Sequence, residues 1–236
     1  MTTFSFSGTS STLSADFYPP IELKDDTYVL GLINFESFNS IPNIDNDNNA
    51  ISIDGETITI PVGSYEINYI NECIQSALKK RNQLNPRFVC TFSLKGNVNT
   101  LKSEMICSHE VNLSIPNSIA PVLGFADVKY APNILYFSSI PVNILKVNAI
   151  RIICNLVVQS YDNGVASHII HEFFPSVPPG YKIVEIPRNV MYLPINTSTI
   201  RNITVKIVDE NDKLVNFQGE TITLRLHLKK VENNGY

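Results

Sequence analysis

The chain is poor in charge and lacks the features of a nucleic-acid-binding or membrane protein. Only 17% of its 236 residues are charged, and the net charge is −4. A nucleic-acid-binding domain normally carries a clustered basic face. The short basic groups here, at 79–81 and 229–230, are instead typical of the solvated ends of a helix and a strand. No apolar run reaches the roughly 18 residues of a membrane-spanning helix. We therefore expect no direct nucleic-acid binding and no membrane span.

Patterns for zinc binding, disulfides and secretion are also missing. The four cysteines form no Cys-x-x-Cys pair, so a zinc site of the usual kind is not supported. They lie in apolar surroundings such as "FVC" and "RIIC", which are typical of buried free thiols. No amino-terminal apolar run precedes a small-residue cleavage site. We therefore expect no secretory signal peptide, and synthesis in the cytoplasm or nucleus.

Motifs for catalysis are absent or incomplete in the sequence. It contains no Gly-x-Ser-x-Gly and no Gly-rich turn that opens a helix. His168 and His171 are an odd number of residues apart, so on a strand their rings would point to opposite faces rather than share a metal. The segment "DNDNNAISIDGE" resembles a calcium loop, but Ala50 occupies the position where that loop needs glycine. We expect an Asx-rich turn there, no cofactor and no enzyme activity.

What the sequence does contain is a succession of short β patterns. Runs such as "TYVLGLINFESF", "AIRIICNLVVQSY" and "TITLRLHLKK" recur between Asn, Asp, Gly and Pro residues, which favours a sandwich or barrel over βαβ units. In the last run, leucines alternate with polar residues, as expected for a strand with one buried face. The second run is more uniformly apolar and is the better candidate for a central strand.

One segment has helical rather than β periodicity. "GSYEINYINECIQSALKKRN" ends in basic residues, which favour the carboxyl terminus of a helix, and Ser64 is a candidate cap at its start. This predicts one short helix over about residues 66–82, inserted into an otherwise all-β fold. The apolar residues at helical spacing are Ile67, Ile70, Ile74 and Leu78.

The ends of the chain differ from the body between them. Residues 1–15 are Ser/Thr-rich and show no sustained period, so we interpret them as a flexible tail. Residues 16–232 form the predicted β domain, and residues 233–236 a short disordered end. The domain is expected to fold without residues 1–14, because that stretch offers nothing to its core.

Five segments of the body together resemble a known family. They are "YVLGLINFESFNSIPNI", "ITIPVGSYEINYINECIQSALKKR", "SIAPVLGF", "PVNILKVNAIRI" and "HEFFPSVPPGYKIVEIP". In combination they are similar to the minor capsid, or penton, protein of Polinton/Maverick elements and adintovirus-like viruses. The resemblance covers about residues 15–230.

This resemblance implies both a fold and an assembly. It implies that residues 16–232 are a capsid domain folded as a single jelly-roll β-sandwich, all-β except for the inserted helix. It further implies a homopentamer at each vertex of an icosahedral capsid, beside a trimeric double-jelly-roll major capsid protein. The implied location is the virion, the implied partners are other copies of the chain and that major capsid protein, and no catalytic residues are implied.

The segment "HEFFPSVPPGYK" is the candidate interface of such an assembly. Its prolines fix φ and remove hydrogen-bond donors, and the following glycine permits a turn, which predicts a rigid corner. The two phenylalanines point to opposite faces if extended, so at most one faces the core and the other would contact a neighbour. A corner packed wholly within its own subunit is an equal alternative. The candidate interface residues are Phe173, Phe174, Pro178, Pro179 and Tyr181.

Other classes of protein fit the same patterns. A jelly-roll binding module, such as a lectin or a trimeric ligand of the tumour-necrosis-factor type, is favoured by three Asn-x-Ser/Thr sequons. The missing signal peptide and the unpaired cysteines disfavour it. A host protein domesticated from a capsid gene would have the same sequence features as a capsid subunit. A metal-dependent enzyme is the third alternative.

Overall fold

The computed structural model describes residues 2–24, 27–85 and 87–231 of the chain. β-Strands dominate this part of the chain, as the sequence predicts. The predicted disordered end at 233–236 lies outside the described residues.

The chain divides into two compact units, each with its own apolar core. The sandwich unit contains the chain up to Ile41 and from Val147 onward, and the inserted unit spans Pro42–Lys146. We predicted one domain over 16–232 with a single inserted helix, but the insertion is a whole unit of which the helix is one part. Strands of the two units have the same local pattern, so periodicity alone did not separate them.

In the part of the chain that the structure describes, the sandwich unit is built on eight strands in two antiparallel sheets. In chain order they are β1 (Thr2–Gly8), β2 (Thr12–Glu22), β3 (Tyr28–Phe38), β11 (Ile150–Cys154), β14 (Ile169–Phe173), β15 (Lys182–Glu185), β17 (Thr199–Val208) and β18 (Ile222–Lys230). Three short strands accompany them: the hairpin of β12 (Ser160–Asp162) and β13 (Val165–Ser167), and β16 (Leu193–Pro194), which pairs with β3.

The order of these strands is that of a jelly roll. One sheet runs β1-β18-β3-β15 and the other runs β14-β11-β17-β2. Numbered one to eight along the chain, the sheets read 1-8-3-6 and 5-4-7-2, so most consecutive strands lie in different sheets, as two Greek keys require. The predicted all-β jelly-roll class is therefore confirmed. The inserted unit occupies the connection between the third and fourth of these strands.

Alternating apolar residues from both sheets form the core of the sandwich unit. The ring of Phe35, on β3, lies 5.2 Å from that of Phe173 and 6.3 Å from that of Phe217. Strand β11 lies between β14 and β17, which confirms its prediction as a central strand. The buried residues of β18 alternate as predicted and are Ile222, Leu224, Leu226 and Leu228.

The amino-terminal strand contradicts the prediction of a flexible tail over 1–15. β1 pairs with β18 along its whole length, and β2 begins four residues later. Phe4 and Phe6 are each only 6% exposed, and the Phe4 ring packs edge-on against Phe17 at 5.4 Å. The premise that residues 1–14 add nothing to the core is therefore wrong. Serine and threonine fill the outward positions between the phenylalanines, and this composition hid the period of two.

In its described residues, 42–85 and 87–146, the inserted unit combines two helices with two small antiparallel sheets. One sheet runs β5-β4-β8-β9 and the other runs β10-β7-β6. In chain order the elements are β4 (Ala50–Ile53), β5 (Glu56–Thr59), α1 (Ile67–Leu84), β6 (Phe92–Asn97), β7 (Lys102–Cys107), β8 (Val111–Asn112), α2 (Ala120–Leu123), β9 (Lys129–Tyr130) and β10 (Tyr136–Phe137).

Helix α1 is the helix predicted over about 66–82. Its amino-terminal cap is Glu66 rather than Ser64. In its last turn, the Arg81 guanidinium lies 2.6 Å from the Glu56 carboxylate and stacks 3.6 Å above the centre of the Phe88 ring. These contacts attach the carboxyl end of the helix to its own unit. The buried residues of the helix are the four predicted ones, Ile67, Ile70, Ile74 and Leu78.

Removing an apolar ring from β1 should destabilise the sandwich unit. We expect Phe6→Ala to lower the free energy of unfolding by about 3–5 kcal/mol, because it removes buried apolar surface and leaves a cavity. The matched control Thr3→Ala alters an exposed side chain of the same strand and should change the stability by less than ~0.5 kcal/mol. Denaturant unfolding of the three proteins checks this expectation. If Phe6→Ala were as stable as the wild type, β1 would not be part of the folded unit.

Candidate assembly surface

The segment that joins β14 to β15 crosses from the edge of one sheet to the edge of the other. It contains the two phenylalanines predicted at the interface, and the structure separates them. Phe173 ends β14, is 5% exposed and packs on Phe35 in the core. Phe174 is 69% exposed. Phe173 is therefore a core residue and not a surface one, because extended backbone turns successive side chains to opposite faces.

The prolines of this segment lead into a tight turn. The Tyr181 N–H donates to the carbonyl of Pro178 at 3.2 Å, and Gly180 has a φ of +85°. Proline followed by a residue of positive φ is the pattern of a type II turn, in which glycine fits without strain. Pro179 and Gly180 are the two central residues. The corner therefore has the geometry that its sequence predicts.

Asn39, directly after β3, fastens this turn. Its backbone N–H donates to the Tyr181 carbonyl at 2.8 Å, and its own carbonyl accepts from the Gly180 N–H at 2.8 Å. Its side-chain amide donates to the Val177 carbonyl at 2.7 Å. Asn39 therefore makes three hydrogen bonds, two as donor and one as acceptor, that hold the corner against the edge of the sheet.

The exposed residues of the corner form an apolar surface without charge. We call Phe174, Pro178, Pro179 and Tyr181 the corner surface. Tyr181 is 65% exposed, and no charged residue lies between 173 and 181. Exposed aromatic side chains in a charge-depleted patch are typical of the centres of protein–protein interfaces.

Apolar side chains continue from the corner surface onto the outer face of the neighbouring sheet. Phe38 on β3 and Val184 on β15 are 43% and 52% exposed, and their paired positions are Lys182 and Glu36. The Lys182 ammonium and the Glu36 carboxylate form an ion pair between them. The hydrogen bond from Lys182 lowers the pKa of the Glu36 carboxyl below its ordinary value. A surface ion pair therefore borders the apolar patch.

A second surface without charge lies in the inserted unit and was not identified from the sequence. Residues 130–145 contain no Asp, Glu, Lys or Arg, and β10 within them is an edge strand of its sheet. The available signal in the sequence was the absence of charge. We call the large exposed apolar residues of this stretch, which are 48–68% exposed, the edge surface: Ile134, Leu135, Phe137, Ile140 and Leu145.

Buried polar contacts hold the edge surface in place from beneath. Ser138 is 2% exposed, and its N–H donates to the Ser103 carbonyl at 2.8 Å while its hydroxyl oxygen accepts from the Ser103 N–H at 3.0 Å. Beside it, the Ile140 N–H donates to the Gly124 carbonyl at 3.2 Å. The exposed apolar side chains are thus carried on a fixed backbone.

Gly124, in the sequence "LGF", allows this backbone to approach closely. It caps α2 with a φ of +75°, and a Cβ atom built on it would lie 2.3 Å from the carbonyl oxygen of Ile140. Both the left-handed backbone and the lack of space demand glycine. The motif therefore has a packing role in the inserted unit.

The segment considered as a calcium loop forms the expected Asx-rich turn. The Asp47 N–H donates to the Asp45 carboxylate at 3.0 Å, and the Asp45 N–H donates to the Asn48 side-chain oxygen at 2.7 Å. Ala50 then begins β4. The side-chain oxygens of Asp45 and Asn48 therefore accept hydrogen bonds from backbone N–H groups within the turn.

The two histidines of "HIIHE" have separate neighbours. His168 Nδ1 lies 2.6 Å from the Val157 carbonyl oxygen, and His171 Nε2 lies 2.9 Å from a Glu185 carboxylate oxygen. Within 2–24, 27–85 and 87–231, no three His, Cys, Asp or Glu side chains cluster in a way that would hold a metal ion. Over the same residues, no helix is long and apolar enough to cross a membrane.

Comparison with known proteins identifies a similar fold. No protein-family model matches the chain, and no curated protein matches it in sequence. Among solved structures, the chain is similar to the crystal structure of the selenomethionine-labelled mavirus penton protein. The alignment covers 97% of this chain and 99% of that one, with a TM-score of 0.50 and 12% sequence identity. At this identity the likeness concerns the fold.

A substitution at Gly124 should separate the cost of a left-handed backbone from the cost of a clash. We expect Gly124→Ala to lower the free energy of unfolding by about 2–4 kcal/mol, because the new methyl group meets the Ile140 carbonyl in addition to the strain at positive φ. The matched control is Gly55→Ala, where φ is +77° and no atom lies within 4 Å of the added Cβ. The control should lose only about 1 kcal/mol. Equal losses in denaturant unfolding would mean that the backbone at Ile140 does not pass against Gly124.

Proposed function

We propose that this chain is a minor capsid (penton) protein, five copies of which form a ring at each vertex of an icosahedral capsid. The observation that carries this proposal is the jelly-roll strand order together with the full-length structural similarity to the mavirus penton protein. The five sequence segments that resemble the minor capsid protein of Polinton/Maverick elements support the same function. Its role is structural rather than catalytic, and its location is the virion.

A ring of identical subunits constrains the surfaces that its members use. Each subunit must present two different patches, because the contacts in a closed ring are heterologous. The corner surface on the sandwich unit and the edge surface on the inserted unit are two such patches. Both combine exposed apolar side chains with an absence of charge, which lowers the desolvation cost of burying them. We propose that both surfaces are covered in the assembled ring.

The corner surface supplies the aromatic anchors of this contact. Tyr181 projects from a backbone that Asn39 holds in place, and Phe174 directly follows β14, so little loop entropy remains to be lost on association. Pro178 and Pro179 stiffen the same segment. Phe173 has no part in the contact, since it is buried within its own unit.

The proposed partners beyond the ring are the capsid proteins around the vertex. The family resemblance implies a double-jelly-roll major capsid protein, which would contact the outside of the ring. A host protein domesticated from such a gene would keep the same ring-forming surfaces. A trimeric jelly-roll ligand or lectin is the other candidate function, and it differs in the number of subunits in the assembly.

A charge placed on the corner surface should weaken association. We expect Tyr181→Glu to raise the dissociation constant of the assembly by about tenfold or more, because an interface aromatic is replaced by a carboxylate that must be desolvated. The matched control is Tyr161→Glu on β12, since Tyr161 is 69% exposed and lies outside both surfaces. Sedimentation velocity over a concentration series measures all three proteins. An unchanged assembly in Tyr181→Glu, or equal weakening by the control, would contradict the proposed contact.

A further inference from the structure

Two of the four free cysteines face each other inside the inserted unit. The sulfur atoms of Cys90 and Cys107 are 3.7 Å apart, and each residue is 5% exposed. Cys107 ends β7, and Cys90 lies two residues before β6, the strand paired with β7. A disulfide requires a separation of about 2 Å between the sulfurs. The two sulfurs must therefore move closer together before they can bond.

A groove in the surface of the inserted unit is lined by one of these cysteines. Its volume is about 240 Å³, and Cys90 belongs to its wall. Asn82 fixes Cys90 there: its side-chain oxygen accepts from the Cys90 N–H and its side-chain amide donates to the Cys90 carbonyl, both at 3.2 Å. Lys79 lines the same groove and places a cation where an anionic reagent would enter. Cys107 does not line the groove.

Burial disfavours ionisation of the Cys107 thiol. Burial raises the pKa of the Cys107 thiol to about 12, although the His109 N–H, 3.4 Å from its sulfur, favours the thiolate. Because the thiolate is the nucleophile in disulfide exchange, Cys107 is a poor first attacker at neutral pH. Because Cys90 lines the groove and Cys107 does not, Cys90 is the thiol that a reagent entering the groove meets first.

We propose that Cys90 and Cys107 are a disulfide-forming pair that is oxidised by a low-molecular-weight disulfide entering through the groove. The Cys90 thiolate attacks one sulfur of the reagent, breaks its S–S bond and expels one reagent thiolate, which leaves a mixed disulfide on Cys90. Cys107 then loses its proton to water and attacks the Cys90 sulfur, expelling the second reagent thiolate. In total, two protein thiols and one reagent disulfide give one protein disulfide and two reagent thiols.

The disulfide would join the segment before β6 to the end of β7. Such a cross-link closes a loop within one unit and restricts the unfolded chain more than the folded one. The disulfide would therefore be absent from the inserted unit in a reducing compartment and would form in an oxidising one. This inference rests on the inserted unit alone and is independent of the capsid function.

The test is oxidation of the folded protein by oxidised glutathione, followed by acid quenching, alkylation of free thiols and tryptic mass spectrometry. Cleavage isolates Cys90 in peptide 88–95 and Cys107 in peptide 103–129. We expect these two peptides to appear as one cross-linked species, two hydrogen atoms lighter than their sum. Recovery of both as separate alkylated peptides, or of a stable glutathione adduct on either cysteine, would overturn the proposal.

Single variants test the order of the two steps. Cys107→Ser should accumulate a glutathione adduct on Cys90, because the resolving thiol is missing. Cys90→Ser should leave Cys107 unmodified over the same time, and the control Cys73→Ser should form the cross-link as the wild type does. An adduct on Cys107 in Cys90→Ser, or none on Cys90 in Cys107→Ser, would contradict the assigned order. Circular dichroism of each variant confirms that a loss of reaction does not come from unfolding.

Discussion

The pairing of β1 with β18 is the interaction on which the sandwich unit depends. It places the first strand of the described chain beside the last one, and it converts β18 from an edge strand into one with a partner on each side. The backbone N–H and C=O groups of β18 are thereby satisfied along both edges. The four apolar residues of β18 can then be packed between the sheets, with Phe4 and Phe6 extending the same apolar face.

Because the first and last described strands pair with each other, the connections between the other strands are free to carry other features. The connection after the third sandwich strand holds the whole inserted unit, which has its own core. The connection between the fifth and sixth strands crosses the sandwich edge and carries the corner surface. Segments that link the strands of a rigid scaffold are the usual place for binding residues. The fold therefore supplies stiff supports for two exposed, charge-free surfaces.

Much of the fold could be predicted from local patterns. The alternation in β18 predicted a half-buried strand, the apolar run at 149–158 predicted the central strand β11, and the spacing at 67–78 predicted α1. Each depends on a periodicity that a single element displays by itself. The turn at Gly180 was likewise predictable, because proline followed by glycine restricts the backbone directly.

Other features depend on contacts between distant residues and could not be predicted in this way. Nothing local in "TFSF" distinguishes a flexible tail from a strand, because its two phenylalanines are buried only when β18 lies alongside. The division into two cores was hidden because strands of both units show the same pattern. Phe173 and Phe174 are chemically identical, and only the register of β14 decides which of them is buried. The edge surface had a signal, the absence of charge, but its exposure follows from tertiary packing.

We propose that copies of this chain close into a five-membered ring. The most direct measurement is electron cryo-microscopy of the purified assembly, with class averages computed without imposed symmetry. We expect end-on views with five-fold symmetry, in which the corner surface of one subunit is covered by its neighbour. Three-fold views, or single unassembled subunits at the highest concentration at which the protein stays soluble, would contradict the five-membered ring.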